Sequence, residues 1–203
     1  MYIVCFDLEG VLTPEVWIAV SQSTGIEELK LTTRDISDYD VLMKNRIKIL
    51  QKNKISLKEI QEIISNMKLL QGAKEFLDYI RSIAQIVILT DSYIEFVMPF
   101  MEKLGFPTCF CHNLKIDKEG IIYDYQIRIK EMKKQTILAL KGLNYEIIAV
   151  GDSYNDIPML LEAKHGILFR PPKNVIDEFP QFPAVKEYSE LRSLISKYLG
   201  LLD

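Results

Sequence analysis

Three apolar runs of strand length each end in a polar cluster, and this repeated hand-over constrains the fold more than any other feature of the 203 residues. Tyr2 to Phe6 runs into Asp7-Leu8-Glu9-Gly10. Gln85 to Leu89 runs into Thr90-Asp91, and Glu146 to Val150 into Gly151-Asp152-Ser153-Tyr154-Asn155-Asp156. Between these runs apolar residues recur at helical spacing, so the order is a strand, a helical block, then alternating helices and strands. That order predicts an α/β fold, a parallel sheet flanked by helices. In open sheets of this kind ligands bind outside the carboxyl ends of the strands, so the three clusters are expected to share one crevice.

Local signals divide the chain further. Thr13-Pro14-Glu15 predicts a helix start, with Thr13 as cap and Pro14 in the first position, and Gly25 predicts its stop. Val41, Leu42, Ile47 and Leu50 give a helical stripe from about Asp38 to Gln51, and Ser56-Leu57-Lys58-Glu59 is a capping box ahead of Ile60, Ile63 and Ile64. After Gln71-Gly72 the rhythm becomes helix (73–83), strand, helix (93–104, closed by Gly105). Residues 14–71 are therefore expected to form a small helical insertion, and residues 1–13 with 72–203 the core. A hairpin is expected around Asp117-Lys118-Glu119-Gly120. It is followed by a helix (131–143), the strand into Asp152, a helix (156–163), a strand from Gly166 to Phe169 and a last helix after Ser189.

Charge and composition remove several function classes. With 25 Lys and Arg against 28 Asp and Glu, the net charge of −3 provides no basic field for a nucleic-acid backbone. No apolar run approaches the roughly 20 residues of a bilayer span, and the first residues lack a positively charged segment, so a cytoplasmic protein without membrane association is expected. Cys109-Phe110-Cys111-His112 suggests zinc, but side chains alternate along a strand and these cannot all converge on one ion. His165 is expected to act as a cationic cap after a helix end, and Trp17 to serve in packing.

The clusters at the strand ends suit phosphoryl chemistry. Asp7 and Asp152 are oxygen donors of the kind that hold Mg²⁺, which keeps waters and accepts phosphate oxygens. A carboxylate beside such a cation can attack phosphorus, and Glu9, two residues on, is placed to serve as general acid and base. Thr90 can donate its hydroxyl and the following backbone N–H groups, near an expected helix start. A lysine must clamp the phosphoryl group. Lys133 shares a stripe with Ile137 and Leu140 and is preferred to Lys134.

Asp7-Leu8-Glu9-Gly10-Val11, Thr90, Lys133 and Gly151 to Asp156, in this order over about 150 residues, resemble the four motifs of the haloacid dehalogenase superfamily. A helical insertion directly after the first motif resembles the cap of its phosphoserine phosphatase branch. Thr32-Thr33-Arg34-Asp35-Ile36, Asp38 to Lys44 and Phe179 to Val185 extend the likeness over nearly the whole chain, to the bifunctional phosphoserine phosphatase/homoserine phosphotransferase (ThrH-type) group. The resemblance implies a Rossmann-like core and Mg²⁺-dependent hydrolysis of phosphoserine through phospho-Asp7, with homoserine as an alternative acceptor. It implies Asp7 as nucleophile and Glu9 as acid/base in place of the more usual Asp. Asp7, Asp152 and the Glu9 backbone carbonyl would hold the metal, with Asn155 orienting that shell. Thr90 and Lys133 would bind the phosphoryl group, and Glu15 and Arg46 the substrate ammonium and carboxylate. Asp91 stands where Gly is more usual and would contact substrate. The motifs leave oligomeric state open, a homodimer included.

Plainer readings compete with each assignment. Asp91, Asn155 or Asp156 would serve as helix caps, Glu15 as a first-turn acid, Arg46 as part of a solvated basic face, and Glu9 as a turn carboxylate. Two rival functions also stand: a phosphatase for a different small phosphate, and a silent binding module that keeps the fold.

Overall fold

The computed structural model of the chain describes residues 1–32, 35–36 and 38–202. Thr33 and Arg34, which belong to the motif from Thr32 to Ile36, lie outside the described residues. Among those described, β1 (Tyr2–Phe6), β2 (Gln85–Tyr93), β3 (Cys109–Ile116), β4 (Ile122–Gln126), β5 (Glu146–Gly151), β6 (His165–Phe169) and β7 (Ala184–Val185) form one sheet. Its strand order is β4-β3-β2-β1-β5-β6-β7. All pairs are parallel except β3 with β4.

The three strands that end in polar clusters are neighbours: β1 lies between β2 and β5, with Phe6 in register with Ile88 on one side and Val150 on the other. The Asp7 N–H donates to the Val150 carbonyl at 2.9 Å, so the register continues into the first loop. Adjacent parallel strands of matched register bring their carboxyl-end loops side by side, as the sequence order led one to expect.

The central strands are continuous apolar runs because both faces of the sheet are covered. On one face Val4, Phe6, Ile88, Ile148 and Val150 meet α4 (Ala73–Ile83), α5 (Ile94–Leu104) and α9 (Tyr188–Tyr198) through Phe76, Phe100 and Leu191. On the other, Ile3, Cys5, Leu89 and Ile147 meet α6 (Met132–Gly142), α7 (Ile157–Glu162) and α8 (Lys173–Glu178). Between β1 and α4 the chain forms α1 (Val16–Thr24), α2 (Tyr39–Lys52) and α3 (Leu57–Asn66). Helix α3 lies on α5 and α2 beside β4. Trp17 of α1 meets Phe96 edge-on at 5.5 Å, and the Tyr125 hydroxyl donates to Asp40 at 2.6 Å.

Several local expectations hold: Asp38 caps α2, Ser56 and Glu59 form the capping box of α3, and Gly25 and Gly105 end their helices at positive φ. Three are corrected. Helix α1 begins at Val16 rather than under a Thr13 cap, because Thr13 is buried in a tight turn whose carbonyl accepts from Gly10 at 2.8 Å. Strand β2 continues to Tyr93, so Thr90 lies within a strand and not at a helix start; pairing of Tyr93 with His112 of β3 extends it. His165 opens β6 instead of capping a helix, and its ring stacks on Tyr198 at 3.9 Å. Helix α8, strand β7 and a 3₁₀ turn at Glu27–Lys30 are additions that no strong periodicity announced.

Candidate active site

A cavity of about 410 Å³ opens at the carboxyl ends of β1, β2 and β5. Asp7, Glu9, Glu15, Arg46, Thr90, Asp91, Lys133, Asp152 and Asn155 all line it. So do Trp17, Tyr39, Ser92 and Tyr93, which the sequence reading did not place there.

Its floor is an array of carboxylates around one ammonium. Lys133, at the start of α6, is 3% exposed, and its Nζ stands 2.7 Å from Asp156 Oδ1, 2.9 Å from Asp7 Oδ1 and 3.4 Å from Asp91 Oδ2. Lys134 is not among the lining residues. Burial opposes the ammonium, but Asp156, Asp7 and Asp91 outweigh it and hold Lys133 protonated, well above the usual lysine range.

Asp156 is fully buried and accepts the backbone N–H groups of Asp152 (2.9 Å) and Ser153 (3.2 Å) through Oδ2. Its carboxylate thus shapes the loop that carries Asp152, a role beyond a helix cap. Gly151 permits this closeness, since a Cβ there would lie 2.4 Å from the Asp156 carboxyl carbon.

Asp7, Asp152 and Asp156 each offer an oxygen within 4.8 Å of the others. Asp7 Oδ1 is occupied by Lys133 and the Leu8 N–H (2.8 Å), and Asp152 Oδ1 by the Ser153 hydroxyl (3.0 Å), while both oxygens of Asp156 are engaged. Among the described residues, Oδ2 of Asp7 and of Asp152 have no hydrogen-bond donor and remain for a cation. Gly10 at φ +81° leaves room there, since a Cβ would fall 2.5 Å from Asp152 Oδ2. Burial and the neighbouring Asp156 push Asp7 well above the ordinary carboxylate range, and they push Asp152 up to about 7. Such crowding of negative charge around oxygen donors fits a hard divalent cation such as Mg²⁺, which would relieve it.

Thr90 is buried, and its Oγ1 accepts the Ser92 N–H at 3.2 Å. Asp91 caps no helix: Tyr93 precedes α5. Its Oδ2 accepts from Asn155 Nδ2 at 3.0 Å, and Oδ1 stands 3.8 Å from His112 Nε2. Burial opposes its charge, but Lys133, His112 and Asn155 together hold the carboxyl below the usual range. Asn155 Oδ1 stands 2.6 Å from the Ser153 hydroxyl, whose single proton it shares with Asp152 Oδ1.

The other wall comes from α1 and α2. Glu9 Oε2 accepts the Val16 N–H at 2.9 Å, satisfying an orphan donor of the first turn of α1 that Glu15, its flanking residue, leaves open. Burial and the adjacent Glu9 carboxyl raise Glu15 to about 7. Arg46 is 6% exposed, not part of a solvated face. Its Nη2 donates to the Leu31 carbonyl at 2.6 Å, its guanidinium lies 4.5 Å over the Trp17 ring, and its Nε has no partner among the described residues. Burial lowers its pKa to about 10, which leaves it charged at neutral pH. Trp17 therefore supports Arg46 as well as packing on Phe96. The hydroxyls of Tyr39 and Tyr93 meet at 2.8 Å, joining α2 to β2.

A carboxylate array beside a buried lysine at the ends of parallel strands defines a hydrolase of the phosphoryl-transfer kind, and the chain belongs to the haloacid dehalogenase-like hydrolase family, whose model matches residues 1–164. More particularly, it is 55% identical over 192 residues to phosphoserine phosphatase ThrH of Pseudomonas aeruginosa, covering 95% of this chain and 94% of that protein. It is 56% identical over 190 residues to a phosphoserine phosphatase of Pseudomonas syringae pv. tomato, covering 94% and 80% of the two chains. A crystal structure of a phosphoserine phosphatase in apo form superposes with a TM-score of 0.76 at 19% identity, over 99% of this chain and 98% of that one. The family resemblance read from the motifs is borne out. Among the described residues no helix is long and apolar enough to cross a membrane.

Proposed function

We propose that the chain is a phosphoserine phosphatase that works through an aspartyl-phosphate on Asp7, with residues 1–13 and 72–203 as core and 14–71 as cap. The observation that carries the reading is a single cavity with the Asp7–Lys133 pair at its floor and, at its wall, a buried Arg46 whose Nε has no partner among the described residues. The high identity to relatives named as phosphoserine phosphatases supports the substrate.

In this reading one Asp7 oxygen attacks phosphorus and the bond from phosphorus to the serine oxygen breaks. Glu9 gives that oxygen its proton. Glu9 then takes a proton from water as the water oxygen attacks phosphorus, which frees Asp7 and releases phosphate. Lys133 and Thr90 bind the phosphoryl oxygens. Arg46 meets the substrate carboxylate and Glu15 its ammonium, which favours the ionised form of a Glu15 otherwise held near neutrality. Asp91 bounds the phosphoryl site, and Asn155 holds Asp91 and the loop of Asp152. Mg²⁺, held by Asp7, Asp152 and the Glu9 carbonyl, would supply charge neutralisation for the incoming dianion.

Glu9 is one methylene longer than the Asp more usual in the family, and its carboxylate is tied to α1, which moves the base relative to an entering nucleophile. Homoserine is accordingly proposed to compete with water. The deciding experiment incubates the protein with phosphoserine and Mg²⁺, with and without homoserine, and quantifies inorganic phosphate and phosphohomoserine. Phosphate release from phosphoserine no faster than from sugar or nucleotide monophosphates would overturn the substrate. Absence of phosphohomoserine would remove the transfer.

A further inference from the structure

His112 on β3 is buried against the candidate site, yet the proposed reaction gives it no part. Its Nδ1 accepts the backbone N–H of Arg128 at 3.2 Å. A neutral imidazole carries one donor and one acceptor nitrogen, so this contact puts the proton on Nε2. Nε2 faces Asp91 Oδ1 at 3.8 Å, just beyond hydrogen-bond reach. The second oxygen of Asp91 accepts from Asn155 and stands 3.4 Å from Lys133 Nζ. Asp91 is thus held by Asn155 and flanked by two further donors, Lys133 and His112, whose contacts are not fully closed.

Lys133 has three N–H groups, directed to Asp156, Asp7 and Asp91. The first two contacts are short and buried; the third is the loosest and faces the cavity. A phosphoryl group arriving at Lys133 needs that third donor, and its negative charge repels the carboxylate already there.

We propose that His112 is a positioning residue: its Nε2–H receives Asp91 when a phosphoryl group displaces that carboxylate from Lys133. Asp91 is then a placeholder that completes the ring of carboxylates around the lysine in the free site. The Arg128 N–H on Nδ1 fixes the orientation of the ring, so Nε2 stays turned toward Asp91. The inference rests on the reading of the cavity as a phosphoryl site.

The probe is inorganic phosphate, titrated by calorimetry in the presence of Mg²⁺, so that the readout does not depend on turnover. H112L removes the donor, and H112Q replaces it with an amide N–H at similar reach. Loss of one hydrogen bond to a charged group corresponds to about a tenfold weaker phosphate affinity in H112L. H112Q is expected to recover most of that loss. In a D91N background H112L should change affinity less than twofold, because no carboxylate remains to be received. With phosphoserine the H112L defect should appear in KM more than in kcat. If H112L does not fold, H112N, whose amide stops short of Asp91, takes its place. A crystal structure with bound phosphate should show Asp91 nearer to His112 and farther from Lys133. Unchanged phosphate affinity in H112L, equal losses in H112L and H112Q, or Asp91 still 3.4 Å from Lys133 with phosphate bound would each overturn the proposal. If the unaltered protein binds phosphate but hydrolyses no phosphate monoester, the catalytic reading fails while the affinities still decide the part of His112.

Discussion

The guanidinium of Arg46 lies over the indole of Trp17, 4.5 Å from the ring centroid, and its Nε has no partner among the described residues. A buried cation with an open donor is costly unless a ligand completes it, and a planar carboxylate fits that fork. Arg46→Ala is therefore expected to raise KM for phosphoserine about tenfold to a hundredfold, the range for a lost charge-assisted hydrogen bond. The same variant should change KM for an aryl phosphate, which has no carboxylate, less than threefold by this physical argument. Steady-state kinetics on both substrates check it; equal losses would take Arg46 away from carboxylate recognition. Trp17→Leu should reproduce a weaker form of the same split, because it removes the platform and not the charge.

The convergence of Asp7, Thr90, Asp91 and Asp152 was legible because each follows an apolar run near the carboxyl end of a strand, and parallel strands deliver those ends to one edge. Lys133 was separable from Lys134 through the helical stripe with Ile137, which places one lysine inward and the other outward. What could not be read depends on contacts distant in sequence. Tyr39 and Tyr93 join hydroxyls across 54 positions, and His112 reaches Asp91 across a strand pairing that no local pattern announces. Thr13 misled for a related reason: its hydroxyl and carbonyl are used inside a turn with Leu8 and Gly10, and a remote carboxylate, Glu9, serves the helix instead.

The crowding of carboxylates around Asp7 gives a metal-dependent stability. Burial and Asp156 push Asp7 and Asp152 upward in the absence of a cation, so a divalent ion that binds the folded site alone should stabilise it. At a hundredfold excess over its Kd, Mg²⁺ should add about 2.7 kcal/mol. Differential scanning fluorimetry with and without EDTA measures the shift. Asp152→Asn should abolish most of it. Asp7→Asn should abolish turnover while its metal-free Tm stays near or above that of the unaltered chain, since the change relieves repulsion from Asp156.

Asp156 is expected to be the more fragile of these acids. It binds Lys133 and two backbone N–H groups from a fully buried position, so Asp156→Ala leaves two orphan donors and takes the shortest of three carboxylate contacts from a buried ammonium, with Asp7 and Asp91 remaining. Removing one partner of such a pair costs about 3–5 kcal/mol. Urea unfolding should show this loss, and Asp156→Asn, which keeps an acceptor, should lose less. A cost below 1 kcal/mol would mean the loop is held by other contacts.

His165 supplies a pH test away from the site. Burial, to which the stacked Tyr198 ring contributes, and then the nearby Lys164 lower its pKa below the usual 6.5, so the fold favours the neutral ring. The stability it contributes is complete above the unfolded value and is lost as pH falls through the lowered folded one. An NMR titration of the ring protons should give a midpoint below 6.5, and Tyr198→Ala should move it upward. A midpoint that ignores Tyr198 would show that stacking does not set the shift.

Gly10 separates backbone strain from loss of the site. At φ +81° any side chain is strained, and here a Cβ would also lie 2.5 Å from Asp152 Oδ2. Gly25 has a similar φ of +71° but nothing within 4 Å, so it isolates the conformational cost. Both Gly10→Ala and Gly25→Ala should lose about 1–2 kcal/mol from the left-handed backbone. Only Gly10→Ala should also lose the Mg²⁺-dependent rise in Tm and the turnover of phosphoserine, because Asp152 must swing away from Asp7 to admit the methyl group. If Gly10→Ala keeps the metal response, the open space beside Asp152 is not what the cation needs, and the oxygens assigned to it would have to be sought elsewhere around Lys133.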